Sequence, residues 1–491
     1  LILNSNNTDA WICRGNIYSE MKEFQRAHLA YEKALKMSPE KEFLLGALIQ
    51  NDLQMCDWDS VKQKTKILFE GLEEGKRLAV PYNLISILDD RRLIKKSIEI
   101  YAQALQGNIQ RVPQKSHLNK KIRLGYFSAD FHNHPTSFLI AELFEYHSKE
   151  EFELIGFVFG RNIADEMRAR LEKSFDQFID INNMTDVEAA KLSRDMQIDI
   201  AIDLKGFTKE GRPKIFMHGA APIQISYLGF PGTMGLECFD YVIADPIVIP
   251  ESSRDGFIEK IIYLPNSYQV NDRSRLISMA IKSREELGLP PKGFVFCCFN
   301  NNYKITPVVF DGWLRVVNAV EDSVLWLYED NPIARKNIIR YAKLRGFDAR
   351  RLIFAGRMEP AEHLARYKLA DLFLDTAPCN AHTTASDALW AGLPVLTLIG
   401  ESFGARVAAS LLTAVGLTEM IVDTQLDYEM LAVELATSPK KLHEIKSRLE
   451  KNLLTRPLFD TPQFTRHLES AYKQVYKRNV NNLAPDHIYV I

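Results

Sequence analysis

Two successive series of short apolar runs, each run separated from the next by a helix-patterned stretch, constrain this chain more than any other feature. The first series begins near 121 with Ile122, Leu124 and Tyr126 and continues through 154–159, 198–204, 223–228, 241–244 and 261–264. A charged, helix-prone stretch at about 276–292, carrying Pro290-Pro291, interrupts it. A second series follows at 294–299, 324–328, 352–355, 372–375 and 395–398. Strands that alternate with helices imply parallel sheets. Two such series with a short junction predict an α/β protein with two doubly wound, Rossmann-like lobes. Ligands of such lobes sit at the carboxyl ends of the strands, here in the cleft expected between the lobes.

The residues ahead of the first series have a different period. Residues 8–41 match the 34-residue tetratricopeptide pattern, with Trp11, Gly15, Tyr18, Ala27, Tyr31, Ala34 and Pro39 in register and Arg14 in place of the usual Leu. Small Gly15 and Ala27 let two helices approach, while Trp11, Tyr18 and Tyr31 fill the space around them. One such repeat cannot bury its face alone. The chain opens at Leu1, not Met, inside what reads as the end of a repeat, so a fragment of a longer array is expected. The expected order is a repeat at 1–41, then a degenerate half-repeat with linker helices at 42–118. An N-terminal lobe at 119–285, a C-terminal lobe at 286–455 and a crossing helix with tail at 456–491 follow. The helix itself is expected at about 463–478.

Composition excludes little but narrows the class. Hydrophobic content is 46% and the formal net charge is −2, which suggests no nucleic-acid or membrane partner. No apolar run reaches the roughly 18 to 20 residues that a bilayer span needs. Six scattered cysteines without Cys-x-x-Cys favour a reducing, cytoplasmic compartment. Cys297 and Cys298 fall in an apolar strand and read as core.

Cys379-Asn380-Ala381-His382-Thr383-Thr384-Ala385-Ser386-Asp387 follows one strand and opens a helical pattern closed by Gly392 and Pro394. The first N–H groups of a helix lack internal partners and the dipole adds positive charge there, so this is a ready anion site. The competing reading is a capping box between Thr384 and Asp387, which needs no ligand.

Four further loops each follow a strand. In 128–137, Pro135 biases His134 toward extended backbone and Thr136 or Ser137 can cap the next helix. His134 is a candidate proton carrier or hydrogen-bond donor. His132 beside it hints at a metal, but no third ligand is evident. Asp203 ends a strand before Lys205-Gly206, where a cap or a salt bridge would serve equally. Leu228-Gly229-Phe230-Pro231-Gly232 forces a turn whose glycines permit close approach to a ligand. In 300–305, Lys304 is a point charge suited to phosphate. No Walker A loop and no Gly-x-Gly-x-x-Gly appears. The one Asp-x-Asp, Asp57-Trp58-Asp59, lies in the helical region. Charge neutralisation is therefore expected from Lys304 and helix termini, with no metal and no cofactor.

Taken together, these motifs resemble the protein O-GlcNAc transferase family, inverting two-lobed glycosyltransferases of GT-B type that carry tetratricopeptide repeats. The resemblance takes in the Trp11 repeat, 54–58, 129–137, 221–235, 299–305, 379–392, 402–412 and 456–472, in the family's order. It implies that Lys304 contacts the donor diphosphate and that Thr383 and Thr384 supply donors at the helix mouth. It also implies Asp387 on the ribose, His363 stacked on uracil with Arg366 nearby, and His382 beside the diphosphate. Leu228 and Gly229 would line the sugar pocket. His134 matches the first lobe's active-site histidine, and His134 and Asp203 are the candidate bases. The implied reaction moves GlcNAc from UDP-GlcNAc to a protein Ser or Thr hydroxyl fed along the repeats. GDP-fucose or UDP-glucose as donor, or a scaffold without turnover, are the alternatives.

Departures from the family pattern are specific. Asn301 stands for the glutamine before Tyr-Lys, Pro360 for a lysine three residues before His363, and Cys13 for the repeat asparagine that grips acceptor backbone. The inter-lobe insertion of animal members is absent, as in bacterial-type members.

Overall fold

The computed structural model describes residues 6–114, 119–280 and 282–491. The expected fragment end at Leu1 and the expected boundary at 118 lie outside these residues. The chain forms two compact units. One gathers residues up to Ile100 with Leu276–Leu412 and Leu417–Lys451; the other gathers Tyr101–Arg275, Thr413–Gly416 and Asn452–Ile491.

Each unit is built on a parallel sheet. The strands of the first are β1 (Ile122–Ser128), β2 (Phe152–Val158), β3 (Gln177–Asp180), β4 (Ile200–Asp203), β5 (Ile223–Ser226), β6 (Tyr241–Ala244) and β7 (Lys260–Tyr263). Those of the second are β8 (Val295–Cys298), β9 (Val324–Tyr328), β10 (Leu352–Ala355), β11 (Leu372–Leu374), β12 (Val395–Leu398) and β13 (Ile421–Val422). A last strand, β14 (Ile488–Tyr489), joins the edge of the first sheet. The orders are β14-β7-β6-β5-β4-β1-β2-β3 and β10-β9-β8-β11-β12-β13. Central strands are buried on both faces, as parallel sheets covered by helices must be. The last five residues of β1 are buried, and Phe127 stacks on Phe157 of β2 with ring centres 4.4 Å apart. Cys297 and Cys298 are fully buried in β8, so the core reading of that pair is correct.

The doubly wound expectation is met, with three strands unforeseen. β3 exposes Gln177 and Asp180 at the sheet edge, and β13 and β14 are two residues each. β3 lacks the apolar run that marks a buried strand, and β13 and β14 are too short to stand out. The run at 198–204 is trimmed at both ends to β4, and just ahead of it the Asp199 carboxylate accepts the Arg123 N–H at 2.9 Å. Helix Thr461–Val480 belongs to the unit of the first sheet: the Tyr472 and Tyr126 hydroxyls lie 3.2 Å apart, and Glu469 meets His147 at 3.1 Å.

The helical segment belongs to the unit of the second sheet. Helices Thr8–Glu20 and Phe24–Met37 form the repeat. A Cβ on Gly15 would lie 2.4 Å from the Tyr31 ring, which is why glycine stands there. Ala27, Tyr31 and Ala34 pack with Leu44 and Leu48 against Trp11 and Tyr18. Arg14, at the usual Leu position, lies over Trp11 and donates to the Tyr18 hydroxyl at 3.2 Å. The next segment is a full helix pair, Leu44–Gln54 and Trp58–Glu73, rather than a half-repeat.

Candidate functional site

In the unit of the second sheet, loops after adjacent strands β8 and β11 build one cluster. The loop after β11 is held by the buried carboxylate of Asp375. Its Oδ1 accepts the N–H groups of Thr376 (2.7 Å) and Ala381 (2.6 Å), and its Oδ2 accepts the Thr397 hydroxyl (2.7 Å). Burial pushes this carboxyl up to about 6 against those donors. Asn300 at the end of β8 donates to the Thr376 hydroxyl at 2.8 Å, tying the two loops together.

Lys304 lies in the short turn Asn302–Lys304 and is buried, 8% exposed. Its Nζ donates to the Asn380 carbonyl at 2.6 Å. The amine is thus enclosed yet directed at the turn that opens helix Thr383–Trp390. That helix begins at His382, whose side chain makes no cap bond. The N–H groups of Ala385 and Ser386 bond to the His382 carbonyl (3.1 and 3.2 Å); those of Thr383 and Thr384 precede this first internal bond. Thr384 and Asp387 both lie inside the helix, so the capping box between them does not form. The helix starts two residues too early for Thr384 to be its cap.

His382 Nε2 faces the Gly404 carbonyl at 3.2 Å, so in the neutral ring Nε2 carries the proton. Burial and then the Lys304 charge push it down to about 3. His363 is partly buried, its ring 5.8 Å from Phe299 and edge-on to Tyr367 at 5.2 Å. Arg366 is enclosed: its guanidinium lies 4.3 Å over the Phe299 ring and donates to the Gly356 carbonyl at 2.7 Å, while Nε and Nη2 are buried without a partner. Asn301 is exposed, and Asp387 is partly buried on helix Thr383–Trp390.

In the other unit, loops after neighbouring β1, β4 and β5 form a second cluster. His134 caps helix Pro135–Tyr146, with Nδ1 accepting the Thr136 N–H at 3.2 Å. The neutral ring therefore carries its proton on Nε2. Asp130 Oδ2 lies 3.4 Å from the same Nδ1, and both Asp130 oxygens accept from Lys205 Nζ at 2.8 Å. Burial holds His134 down at about 4; Asp130 opposes this and Lys205 and His132 assist. Asp203 is 1% exposed: Oδ1 accepts the N–H groups of Lys205 (2.8 Å) and Gly206 (3.1 Å), and burial pushes its carboxyl up to about 6. Leu228 has φ +66°, and a Cβ on Gly229 would lie 2.2 Å from the Leu204 carbonyl oxygen. That turn is pressed against the β4 loop and admits only glycine at 229.

Asp375, Asp130 and Lys205 were given no role from sequence. A carboxylate at the end of a parallel strand is the signal that would have found Asp375. Asp59 of the Asp-x-Asp pairs with Arg340 at 3.3 Å. Among the described residues, no group of three or more His, Cys, Asp or Glu side chains could hold a metal ion. No helix among them is long and apolar enough to cross a membrane.

Two parallel doubly wound sheets with polar loops at their strand ends, preceded by a helical repeat, define a two-lobed, Rossmann-like glycosyltransferase of GT-B type. The chain belongs to glycosyl transferase family 41, whose profile matches residues 90–280 and 277–468; a tetratricopeptide profile matches 8–41. It is 37% identical over 378 residues to the probable UDP-N-acetylglucosamine–peptide N-acetylglucosaminyltransferase SEC of Arabidopsis thaliana, covering 76% of this chain and 39% of that one. It is 26% identical to the UDP-N-acetylglucosamine–peptide N-acetylglucosaminyltransferase of Caenorhabditis elegans, covering 75% and 42%. The chain thus spans about two fifths of the length of these relatives. The fold is also that of an O-GlcNAc transferase variant of Thermobaculum terrenum, with TM-score 0.83 and 24% identity over 98% of this chain and 93% of that one.

Proposed function

We propose that this chain transfers GlcNAc from UDP-GlcNAc, with inversion, to Ser or Thr hydroxyls of proteins, without a metal. The observation that carries the reading is the Lys304 amine held at 2.6 Å on the Asn380 carbonyl, at the mouth of helix Thr383–Trp390. In the transfer, the acceptor oxygen bonds to the anomeric carbon as the bond from that carbon to the diphosphate oxygen breaks. Negative charge then grows on the departing UDP. Lys304 and the Thr383 and Thr384 donors meet that charge, with His382 beside it, and fixed donors of this kind lower the barrier without reorganising. Asp387 serves the ribose hydroxyls and His363 stacks on uracil with Arg366 nearby and Asn301 at the rim. Leu228 and Gly229 shape the sugar pocket. His134, protonated on Nε2, acts as a hydrogen-bond donor to a reacting oxygen rather than as a base. Asp203 holds the β4 loop and is the remaining carboxylate candidate for the proton. The repeat presents the acceptor chain. Names of the family 41 relatives support the donor and the acceptor class.

The test is a donor panel of UDP-GlcNAc, UDP-glucose and GDP-fucose with an acceptor protein, in chelator, read by mass spectrometry of released nucleotide and modified protein. Chelator-resistant release of UDP with addition of GlcNAc is expected. Preference for another donor replaces the substrate, and absence of both binding and turnover leaves a repeat scaffold.

A further inference from the structure

The turn at 54–58, between helices Leu44–Gln54 and Trp58–Glu73, has no part in the chemistry above, yet it grips the loop that carries Lys304. Trp58 is 3% exposed, and its indole N–H donates to the Ile305 carbonyl at 3.0 Å, one residue after the lysine. The Cys56 thiol points at the Asn302 carbonyl at 3.7 Å. On the other side of the lysine, the Tyr303 hydroxyl meets the Tyr82 hydroxyl at 2.9 Å. The turn is itself fixed. Asn331 and Asn337 each donate through Nδ2 to its carbonyls, those of Gln54 and Met55, both at 2.9 Å. The Trp58 ring packs edge-on to Tyr341 at 4.5 Å and tilted on Phe310 at 5.3 Å.

Packing also holds this loop, since Tyr303 belongs to the apolar core of the helical segment. The loop's own turn supplies Lys304 N–H to Asn301 and Ile305 N–H to Asn302, both at 3.0 Å. A three-residue turn is a weak frame for a side chain that must hold an ammonium to within a few tenths of an ångström. The bonds from Trp58 and Tyr82 bracket it on both sides, while the amine reaches to Asn380.

We propose that Trp58 and Tyr82 are positioning residues for Lys304, so that the helical segment next to the repeat is part of the donor-binding machinery as well as a support for acceptor. The inference rests on the reading of Lys304 as the diphosphate ligand.

Trp58→Phe keeps a ring and removes the indole donor; Tyr82→Phe removes only the hydroxyl. UDP affinity is measured by calorimetry for each variant, alone and combined with Lys304→Ala, with thermal unfolding as the check on folding. Each single variant is expected to weaken UDP binding about three- to tenfold, the worth of one buried hydrogen bond, and kcat/KM for the donor with it. In the Lys304→Ala background the same changes should have almost no effect, since the group they position is gone. An equal effect in both backgrounds, or none in either, overturns the proposal. If Trp58→Phe does not fold, the Tyr82→Phe cycle decides alone. Unchanged UDP affinity in Lys304→Ala itself overturns the Lys304 reading and the inference together.

Discussion

The ammonium of Lys304 donates to the main-chain carbonyl of Asn380, three residues ahead of helix Thr383–Trp390, at 2.6 Å. One contact thus anchors the lysine and shapes the turn that aims the helix mouth. Lys304→Ala should lower kcat by about a hundred- to a thousandfold, the cost of deleting one preorganised donor. It also leaves the Asn380 carbonyl without that donor, at a cost of about 1–3 kcal/mol that unfolding in denaturant would register. Lys304→Arg should not restore turnover, because a planar fork does not fit where a compact ammonium is enclosed. Wild-type rates in either variant would refute the assignment.

His382 gives a pH signature of defined sign. Its proton sits on Nε2 toward Gly404, and its folded pKa is lowered to about 3 from the ordinary 6.5. Below 6.5 the unfolded chain binds a proton that the folded chain refuses. The stability this group contributes is whole above about 6.5 and is lost as pH falls toward 3. His382→Gln keeps a donor and cannot titrate. Relative to wild type it should gain about 2.5 kcal/mol of unfolding free energy between pH 7 and 4.5. Parallel stability curves for the two proteins would show that His382 titrates normally.

Where a function depends on backbone period, the sequence was readable. The alternating runs located the central strands within a residue or two, because parallel strands buried on both faces must be apolar throughout. Edge strands such as β3 carry Gln177 and Asp180 outward and leave no such trace. Gly15 and Tyr31 announced their helix pair because one needs the other's absent Cβ. The loops were legible as motifs, but not their wiring. Asp375 organises the anion loop through bonds to Thr376, Ala381 and Thr397, and the last of these is remote in sequence. Trp58 looked like part of an acidic motif, and only the fold shows its indole at Ile305. The start of a helix is fixed by which carbonyl takes the first bond, so the cap at His382 could not be told from one at Thr384 by residue types.

The β5 loop predicts a sharp steric result. A Cβ on Gly229 would stand 2.2 Å from the Leu204 oxygen and 2.8 Å from the Lys205 Cα, both backbone atoms. Neither can move without displacing the turn that Asp203 holds. Gly229→Ala should therefore lower Tm by several degrees, a loss of about 2 kcal/mol or more, and reduce donor turnover with it. Gly256→Ala, which meets nothing within 4 Å, is the matched control and should be near neutral. Equal melting temperatures for the two variants would mean that the 229 turn relaxes freely.

Asp130 and Lys205 form a buried ion pair whose value lies in what it does to His134. Lys205→Met strands a buried carboxylate and should cost about 3–5 kcal/mol, most of which Asp130→Asn in the same chain should return. The single variant also changes the imidazole. Asp130, 3.4 Å from His134 Nδ1 and no longer neutralised, becomes the better partner and draws a proton onto that nitrogen. The His134 pKa should then rise from about 4, against the remaining influence of His132. In nitrogen-resolved spectra of the imidazole, wild type should show Nε2–H from pH 5.5 upward. At pH 7.5 the neutral ring of Lys205→Met should have switched to the Nδ1–H tautomer, and the double variant should return to Nε2–H. If His134 is the Nε2–H donor proposed here, activity at pH 7.5 should follow the Nε2–H signal across the three proteins. Activity that instead follows stability alone would reduce the pair to a structural bolt and return His134 to the list of candidate bases.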